Sequence, residues 1–300
     1  MTEIIKLGLA PYLASTPMGS HLFLTMKEIQ TIEKNTQEDP FNNWIFEVYA
    51  GSNFSFESQR DNFTARYGFY ANKTTEDIKL QFRPYFNYGK LRFETDNETI
   101  IRKSHRNGFE GFAIKSINDH WSMGLFLYSL SSTFHNTRFN VELIPGIEYS
   151  LYPYQEATRK SITMSYQLGA GYHNYIEETI FNQTEEFLWG HKLNLSVRIQ
   201  QPWGNIMGGI NGSHYFHDFN ANRVDLFSNL NLRIFSGFSL SFRGNFNFIN
   251  DLVALPIGDM SVEDILLQQR RQSTNYQASG SIGFSYTFGS KYTNVVNTRF

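Results

Sequence analysis

The sequence has no cysteine among its 300 residues and no long apolar run. Without cysteine, the chain has no disulfide, no thiolate metal ligand and no cysteine nucleophile. Without about 18 consecutive apolar residues, it has no candidate transmembrane helix. Basic residues are not clustered either, since 26 Lys and Arg face 28 Asp and Glu for a net charge of -2. Neutralising several phosphates needs clustered Lys and Arg, so we expect no nucleic-acid partner.

Aromatic side chains are abundant, with 28 Phe and 17 Tyr in a chain that is polar on average. Solvated, disordered chains carry far fewer aromatic residues, so the sequence predicts a folded protein. A soluble core would use some of these rings. A β-barrel in a membrane uses many more, because its outer surface faces lipid and carries aromatic girdles at both interfaces.

Apolar and polar residues alternate with period two from about residue 43 to residue 250, which indicates β-strands. The clearest case is 139–151, where odd-numbered positions are apolar and even-numbered positions are mostly polar. The alternation predicts an all-β protein with twelve antiparallel strands. These lie at about 43–58, 62–72, 77–94, 101–117, 120–134, 138–152, 159–176, 186–200, 204–217, 223–235, 238–250 and 273–289.

The connections between these strands alternate in predicted length, a pattern typical of outer-membrane barrels with short periplasmic turns and longer extracellular loops. Short turns are predicted at 72–77, 118–120, 153–156, 201–204 and 236–237, and longer loops near 95–100, 177–185, 218–222 and 251–272. An even strand number places both chain ends on the periplasmic side. A soluble sandwich or lipocalin-like barrel is the alternative. It would turn its apolar face inward, and it rarely needs strands of 12 to 18 residues.

Residues 1–40 lack this alternation and form a predicted N-terminal segment, with a short amphipathic helix, a possible strand and a charged linker. Residues 41–300 form the predicted transmembrane barrel. Residues 1–40 also lack an export signal, because the apolar stretch has neither a basic start nor a cleavage site. A barrel of the outer membrane must be exported, so we expect an upstream part of the protein to precede this sequence.

Four stretches resemble a family of uncharacterised outer-membrane β-barrel proteins from Bacteroidetes-type bacteria. They are the C-terminal run 285–300 (SYTFGSKYTNVVNTRF), the turn Gln201-Pro202-Trp203-Gly204, the turn 151–159 and the segment 263–270. The resemblance covers about 40–300. It implies a bacterial outer-membrane location, contact with lipid and with the barrel assembly machinery, and a periplasmic domain before the barrel. Residues 1–36 would then be the end of that domain. No reaction is implied.

Charged side chains at the polar positions of the strands would line the lumen of such a barrel. Mixed charges there can conduct selected solutes, or they can pair into a plug that holds the wall rigid, and the sequence leaves both open. A barrel of twelve strands lies between filled eight-stranded barrels and open sixteen-stranded porins. The predicted lumen-lining residues are Glu47, Arg66, Lys79, Arg83, Glu142, Glu148, Arg198, Asp225, Arg233 and Arg243.

Two arrangements could carry chemistry. His120 and Ser122 resemble the nucleophile pair of an outer-membrane phospholipase, but they sit beside a predicted periplasmic turn and are better explained by chance. His214 and His217, beside Asp218, have opposite parity on their strand, so a metal site would need a bulge. A polar rim explains them better. We therefore predict no catalytic residue, no metal site and no cofactor.

The segment 251–272 is the most distinctive loop, with an apolar start and a capping-box pattern at 261–264 that predicts a short helix. It could cap the barrel mouth, fold inward as a constriction, or be an ordinary surface loop. For function, the sequence favours a membrane anchor or narrow channel serving an upstream periplasmic domain. The alternative hypothesis is a membrane-embedded hydrolase of the phospholipase or protease type.

Overall fold

The computed structural model describes residues 39–94, 99–258 and 274–289. The chain divides into two units, 1–42 and 43–300, and the second contains the whole sheet. Most of the predicted N-terminal segment 1–40 and the predicted helix that follows the capping box at 261–264 lie outside the described residues. No helix in the described ranges is long and apolar enough to cross a membrane.

Twelve β-strands form one antiparallel sheet in which every strand pairs with its neighbours in the sequence, from β1 to β12. This confirms the all-β, twelve-stranded antiparallel prediction. One short 3-10 helix, Tyr154–Glu156, lies between β6 and β7. The strands are β1 (Trp44–Phe56), β2 (Arg60–Thr74), β3 (Ile78–Glu94), β4 (Thr99–Ser116), β5 (Trp121–Ser132), β6 (Thr137–Ser150), β7 (Lys160–Tyr175), β8 (Glu185–Gln201), β9 (Gly204–Tyr215), β10 (Asp218–Phe235), β11 (Phe238–Ile249) and β12 (Tyr276–Tyr286).

The strand register keeps the two faces of the sheet distinct. Leu143 on β6 lies opposite Leu127 on β5 and Ala170 on β7, so apolar residues meet apolar residues. One position earlier, Glu142 lies opposite Tyr128 and Gly171. Because successive side chains of a strand point to opposite faces, these rows belong to two separate surfaces. We call them the apolar face and the polar face.

On the central strands, the apolar face is the exposed one. On β6, Leu143 and Ile147 are 47% and 43% exposed, whereas Ile144 and Ser150 on the polar face are each 1% exposed. On β7, likewise, Leu168 is exposed and His173 is buried. A soluble sandwich buries its apolar faces against each other. This sheet does the reverse across its central strands.

The chain enters β1 and leaves β12 at the same end of the sheet, which we call the proximal end; the other is the distal end. All five predicted short turns fall between strands at the proximal end, and the predicted longer loops 95–100, 177–185 and 251–272 fall between strands at the distal end. The proximal connections are 75–77, 117–120, 151–159, 202–203 and 236–237, and the distal ones are 57–59, 95–98, 133–136, 176–184, 216–217 and 250–275.

Two predicted connections were wrong in length. The predicted turn 153–156 is part of the longer connection 151–159, which includes the 3-10 helix. The predicted loop 218–222 belongs to β10, which pairs with β9 from Asp218 onward through a register irregularity before Asn222. The polar residues there suggested a loop, but a bulge lets the backbone keep pairing. The alternation in length is therefore weaker than predicted: the distal connections 176–184 and 250–275 are long, but the proximal connection 151–159 is as long as the first of these.

The strands β1 and β12 form the two edges of the sheet. Among the described residues, no pairing joins β1 to β12. Both edge strands carry large exposed side chains on the apolar face, among them Val48 and Phe284. Long apolar edges with unpaired backbone groups are a liability in water, and in lipid every such group must find a partner.

Candidate functional site

The predicted lumen-lining residues all lie on the polar face. Through the register, Glu47 lies opposite Tyr70, Arg83 opposite Glu110, and Asp225 opposite both Asn211 and Asn247. They do not form one cluster. By the same register and strand alternation, the face also holds Arg66, Lys79, Glu142, Glu148, Arg198, Arg233 and Arg243. Most contacts of the predicted residues fall in three places. These are a central cavity, a cluster at the proximal end and a basic groove beside β1.

The central cavity has a volume of about 370 Å³ and lies against the polar face of β6–β10. Both predicted acidic residues of this region, Glu142 and Asp225, line it. Sequence reasoning missed Lys192, Arg223 and Asp251, which line it too. Arg223 could have been found, because it lies two residues before Asp225 on the same strand and so shares its face.

The charges in the central cavity are largely paired. Arg223 Nε donates to both carboxylate oxygens of Asp225, at 2.9 Å and 2.8 Å, and Arg223 Nη1 lies 3.7 Å from Asp251 Oδ1. His173 Nε2 lies 3.9 Å from Glu142 Oε1, and the Tyr175 hydroxyl donates to Glu186 at 2.6 Å. The contacts of His173 with Glu142 and of Tyr175 with Glu186 join neighbouring strands, whereas Arg223 and Asp225 lie on the same strand. Together these contacts form the kind of polar network that rigidifies a wall.

The residues 251–257, which we call the strap, cross from the end of β11 to the connection between β7 and β8. Pro256 pairs with Thr179 as an isolated antiparallel bridge, and Leu252 and Val253 are buried. Two backbone hydrogen bonds flank the bridge, from Ile180 N to Leu255 O at 2.9 Å and from Ile257 N to Glu178 O at 2.8 Å. The strap thus links two distal connections that lie several strands apart in the sheet. The strap lies at the distal end of the central cavity, which Asp251 lines.

Asn136 clamps the strap to the two neighbouring distal connections. Its side-chain amide donates to the carbonyl oxygens of Glu177 at 2.9 Å and Ala254 at 3.1 Å, and its Oδ1 accepts from the Glu177 N–H at 2.8 Å. Its φ of 53° lies in the left-handed region, which Asn tolerates better than most residues. No sequence signal identified this residue, because its partners are remote in the chain.

The substitution Asn136→Gly should loosen the strap without straining the turn, since Gly adopts the same φ freely. It removes three side-chain hydrogen bonds, each worth about 1 kcal/mol. Amide exchange of Ile257 and Ile180, measured by NMR or mass spectrometry, should accelerate by more than about tenfold. The control is Asn182→Gly, which has a similar φ of 56°. Equal acceleration in both variants would show that Asn136 is not the clamp.

The proximal cluster surrounds the 3-10 helix and contains the candidate nucleophile Ser122. The Tyr154 hydroxyl lies within hydrogen-bond distance of both Ser122 Oγ, at 3.1 Å, and Glu148 Oε1, at 3.2 Å. Burial raises the pKa of Tyr154, so its hydroxyl stays protonated and can donate. His120 Nδ1 instead bonds the backbone carbonyl of Ser150 at 2.7 Å. Ser122 Oγ therefore contacts the Tyr154 hydroxyl, and the imidazole of His120, the base of the predicted pair, is bonded to Ser150 instead.

His214 has a partner that sequence reasoning did not anticipate, His191 on the adjacent strand. His214 Nδ1 lies 3.1 Å from His191 Nε2, and His191 Nδ1 lies 3.1 Å from the Tyr166 hydroxyl. All three lie on the apolar face, among aromatic side chains such as Phe216. Within the described ranges, no group of three or more His, Asp or Glu could hold a metal ion.

Comparison with known proteins finds no family model that matches the chain and no curated protein that matches it. The function is therefore argued from the geometry of the sheet and of its polar face.

Proposed function

We propose that the sheet closes into a transmembrane β-barrel in a bacterial outer membrane, with the polar face around a narrow aqueous passage. The observation that carries this proposal is the inverted polarity of the sheet. Leu143, Ile147 and Leu168 are exposed on one face while Ser150 and His173 are buried on the other. Outward apolar and inward polar residues are the pattern of a barrel solvated by lipid.

The distribution of aromatic rings supports the same proposal. Trp44 and Trp121 lie on the apolar face at the proximal ends of their strands. Phe56 and Trp189 lie on that face toward the distal end. Amphipathic rings at both ends of an apolar band are typical of the two membrane interfaces. The strand lengths, 11 to 18 residues, are sufficient to cross the hydrocarbon core at a tilt.

A narrow passage agrees better with the polar face than a wide pore does. The paired charges of the central cavity, the strap at the distal end and Tyr154 at the proximal end occupy the part of the polar face formed by β5–β10. The polar face of β1–β4 remains more exposed. A barrel without conduction would instead be an anchor, for which we expect a periplasmic domain as partner. Lipid and the barrel assembly machinery would be its other partners.

The proposal is tested by the solvent around individual side chains of the reconstituted protein. Spin labels at Leu143, Ile147 and Leu168 should be accessible to oxygen and shielded from aqueous relaxation agents, because these side chains would face lipid. Labels at Ser165 and Ser196, on the polar face, should show the reverse. Labels on the apolar face that are reached by the aqueous agent would contradict the membrane assignment.

Conductance separates the passage from the anchor. The purified protein in planar bilayers should show discrete current steps of small amplitude, and Asn136→Gly should enlarge or destabilise them because the strap lies at the distal end of the central cavity. If correctly folded protein in the bilayer produces no current steps, the result favours the anchor over the passage. Esterase and protease assays that compare the natural protein with Ser122→Ala address the hydrolase, and we expect no Ser122-dependent activity.

A further inference from the structure

The polar face of β2–β4 is strongly basic, although the whole chain has a net charge of -2. By the register, every strand position on this face is known, and all residues of these three strands are described. Glu110 is the one acidic side chain on this face of β2–β4. The basic side chains there are Arg60, Arg66, Lys79, Arg83, Arg102 and Arg106.

Three of these arginines surround one groove. Arg66, Arg83 and Arg106 line a cavity of about 600 Å³ on the polar face of β1–β4. Arg66 lies opposite Asn87, and Asn87 lies opposite Arg106, so the two arginines flank Asn87 in one row. They are separated by two inter-strand spacings, about 10 Å. Their long side chains can therefore converge on one polyatomic anion.

The groove has more positive charge than its own acidic residue can neutralise. Arg83 Nη1 pairs with Glu110 Oε2 at 3.2 Å. Within the described part of the chain, the guanidinium groups of Arg66 and Arg106 have no hydrogen-bond or ion-pair partner, and both side chains are exposed. Arg223 in the central cavity shows the contrast, because Asp225 holds it at 2.8 Å. The guanidinium groups of Arg66 and Arg106 in the groove can therefore donate to a ligand, whereas Arg223 in the central cavity already donates to Asp225.

Two tyrosines shape the floor of this groove. The ring of Tyr49 lies over Gly68, and the ring of Tyr85 lies over Gly108, in positions where a Cβ on either glycine would clash with the ring. Both tyrosines line the groove beside the arginines. The small glycines thus let the rings lie against the sheet, where their hydroxyls add neutral donors to the cationic ones.

We propose that this groove binds small anions bearing phosphate or carboxylate groups, and that it makes the passage select anionic solutes. Planar guanidinium groups bind the oxygens of phosphates and carboxylates in a bidentate manner, and they stay charged at every physiological pH. A cleft lined by one sign of charge also concentrates the opposite ion. The inference deepens the proposed passage and rests on it for access of the anion to the groove.

The first test measures the reversal potential of the reconstituted protein in a KCl gradient, together with block of the chloride current by inorganic phosphate. The natural protein should favour chloride over potassium, and millimolar phosphate should reduce the current. The double substitution Arg66→Gln and Arg106→Gln should weaken phosphate block at least tenfold and shift the reversal potential toward potassium. The matched control is the double substitution Lys192→Gln and Arg198→Gln, which removes two charges from the same face on β8, four or more strand positions from the groove whether or not the sheet closes.

The second test measures phosphate and succinate binding by calorimetry on the detergent-solubilised protein, which does not depend on conduction. Binding that is lost in the Arg66→Gln, Arg106→Gln variant and kept in the Lys192→Gln, Arg198→Gln control supports the site, even if no current is seen in bilayers and the passage proposal fails. The stronger of the two ligands identifies the preferred class. If neither phosphate nor succinate binds, the site is overturned while the passage proposal is unaffected. Equal weakening of binding in the Lys192→Gln, Arg198→Gln control overturns the site in the same way.

Discussion

Cysteines introduced at Val48 and at Ile282 or Phe284 should form a disulfide within one molecule. Trp44 begins β1 and Tyr286 ends β12 at the proximal end, so closure of the sheet would bring Val48 near Ile282 and Phe284, and the stagger of the two strands would decide which of them is adjacent. In lipid, each unpaired backbone group costs several kcal/mol, which disfavours two open edges. A disulfide requires Cα atoms within about 7 Å, a distance that adjacent strands satisfy.

Any disulfide that is detected must join the two introduced cysteines, because the natural chain contains no cysteine. Oxidation of membranes that contain the double variant should link most molecules, as seen by a mobility shift on non-reducing gels and by mass spectrometry. Val48→Cys with Gly283→Cys is the control, since Gly283 lies on the polar face. Links between two molecules in place of internal ones would show that β1 and β12 pair with other copies.

The substitution Leu143→Arg should destabilise the protein in lipid by about 2 to 4 kcal/mol, the cost of an arginine on the lipid face near the midplane. Leu143 lies near the middle of β6 and is exposed on the apolar face. Ser165→Arg should cost far less, because Ser165 lies on the polar face opposite Glu148 and Asn194. Urea unfolding from liposomes measures both.

The control for Leu143→Arg is Trp203→Arg, which places an arginine at a different depth in the membrane. Trp203, in the proximal turn between β8 and β9, would lie near the interface, where the cost of arginine falls to about 0 to 1 kcal/mol. A sheet surrounded by water would tolerate Arg at the exposed Leu143 as well as at Ser165. Equal stability of the two variants would therefore contradict the membrane assignment.

The strands were predictable because their signal is local. On β6, the alternation at 139–151 marks both faces, and the observed strand Thr137–Ser150 differs from the predicted 138–152 by one or two residues at each end. The start of β10 was missed for a local reason too. Polar residues from Asp218 to Asn222 favour a loop, and the pairing that overrides this preference is supplied by β9.

The contacts of the polar face were only partly predictable. Strand parity places Glu142, Asp225 and Arg66 on one face, and the register agrees. Parity does not tell which charges meet, since that depends on the curvature of the sheet and on connections that cross it. The side-chain clamp of Asn136 on the strap lies beyond any periodicity, because it joins residues 118 positions apart in the sequence.

This separation has a consequence for the order of folding. Every strand pairs with its sequence neighbour, so the sheet can form by successive hairpins whose loop-closure entropy is small, apart from the last one. The strap must instead find Asn136 and Thr179 after the intervening hairpins exist. It also immediately precedes the segment that leads into β12. We therefore expect docking of the strap late in folding, together with pairing of the final strand, and we expect the cavity beneath it to take shape at that stage.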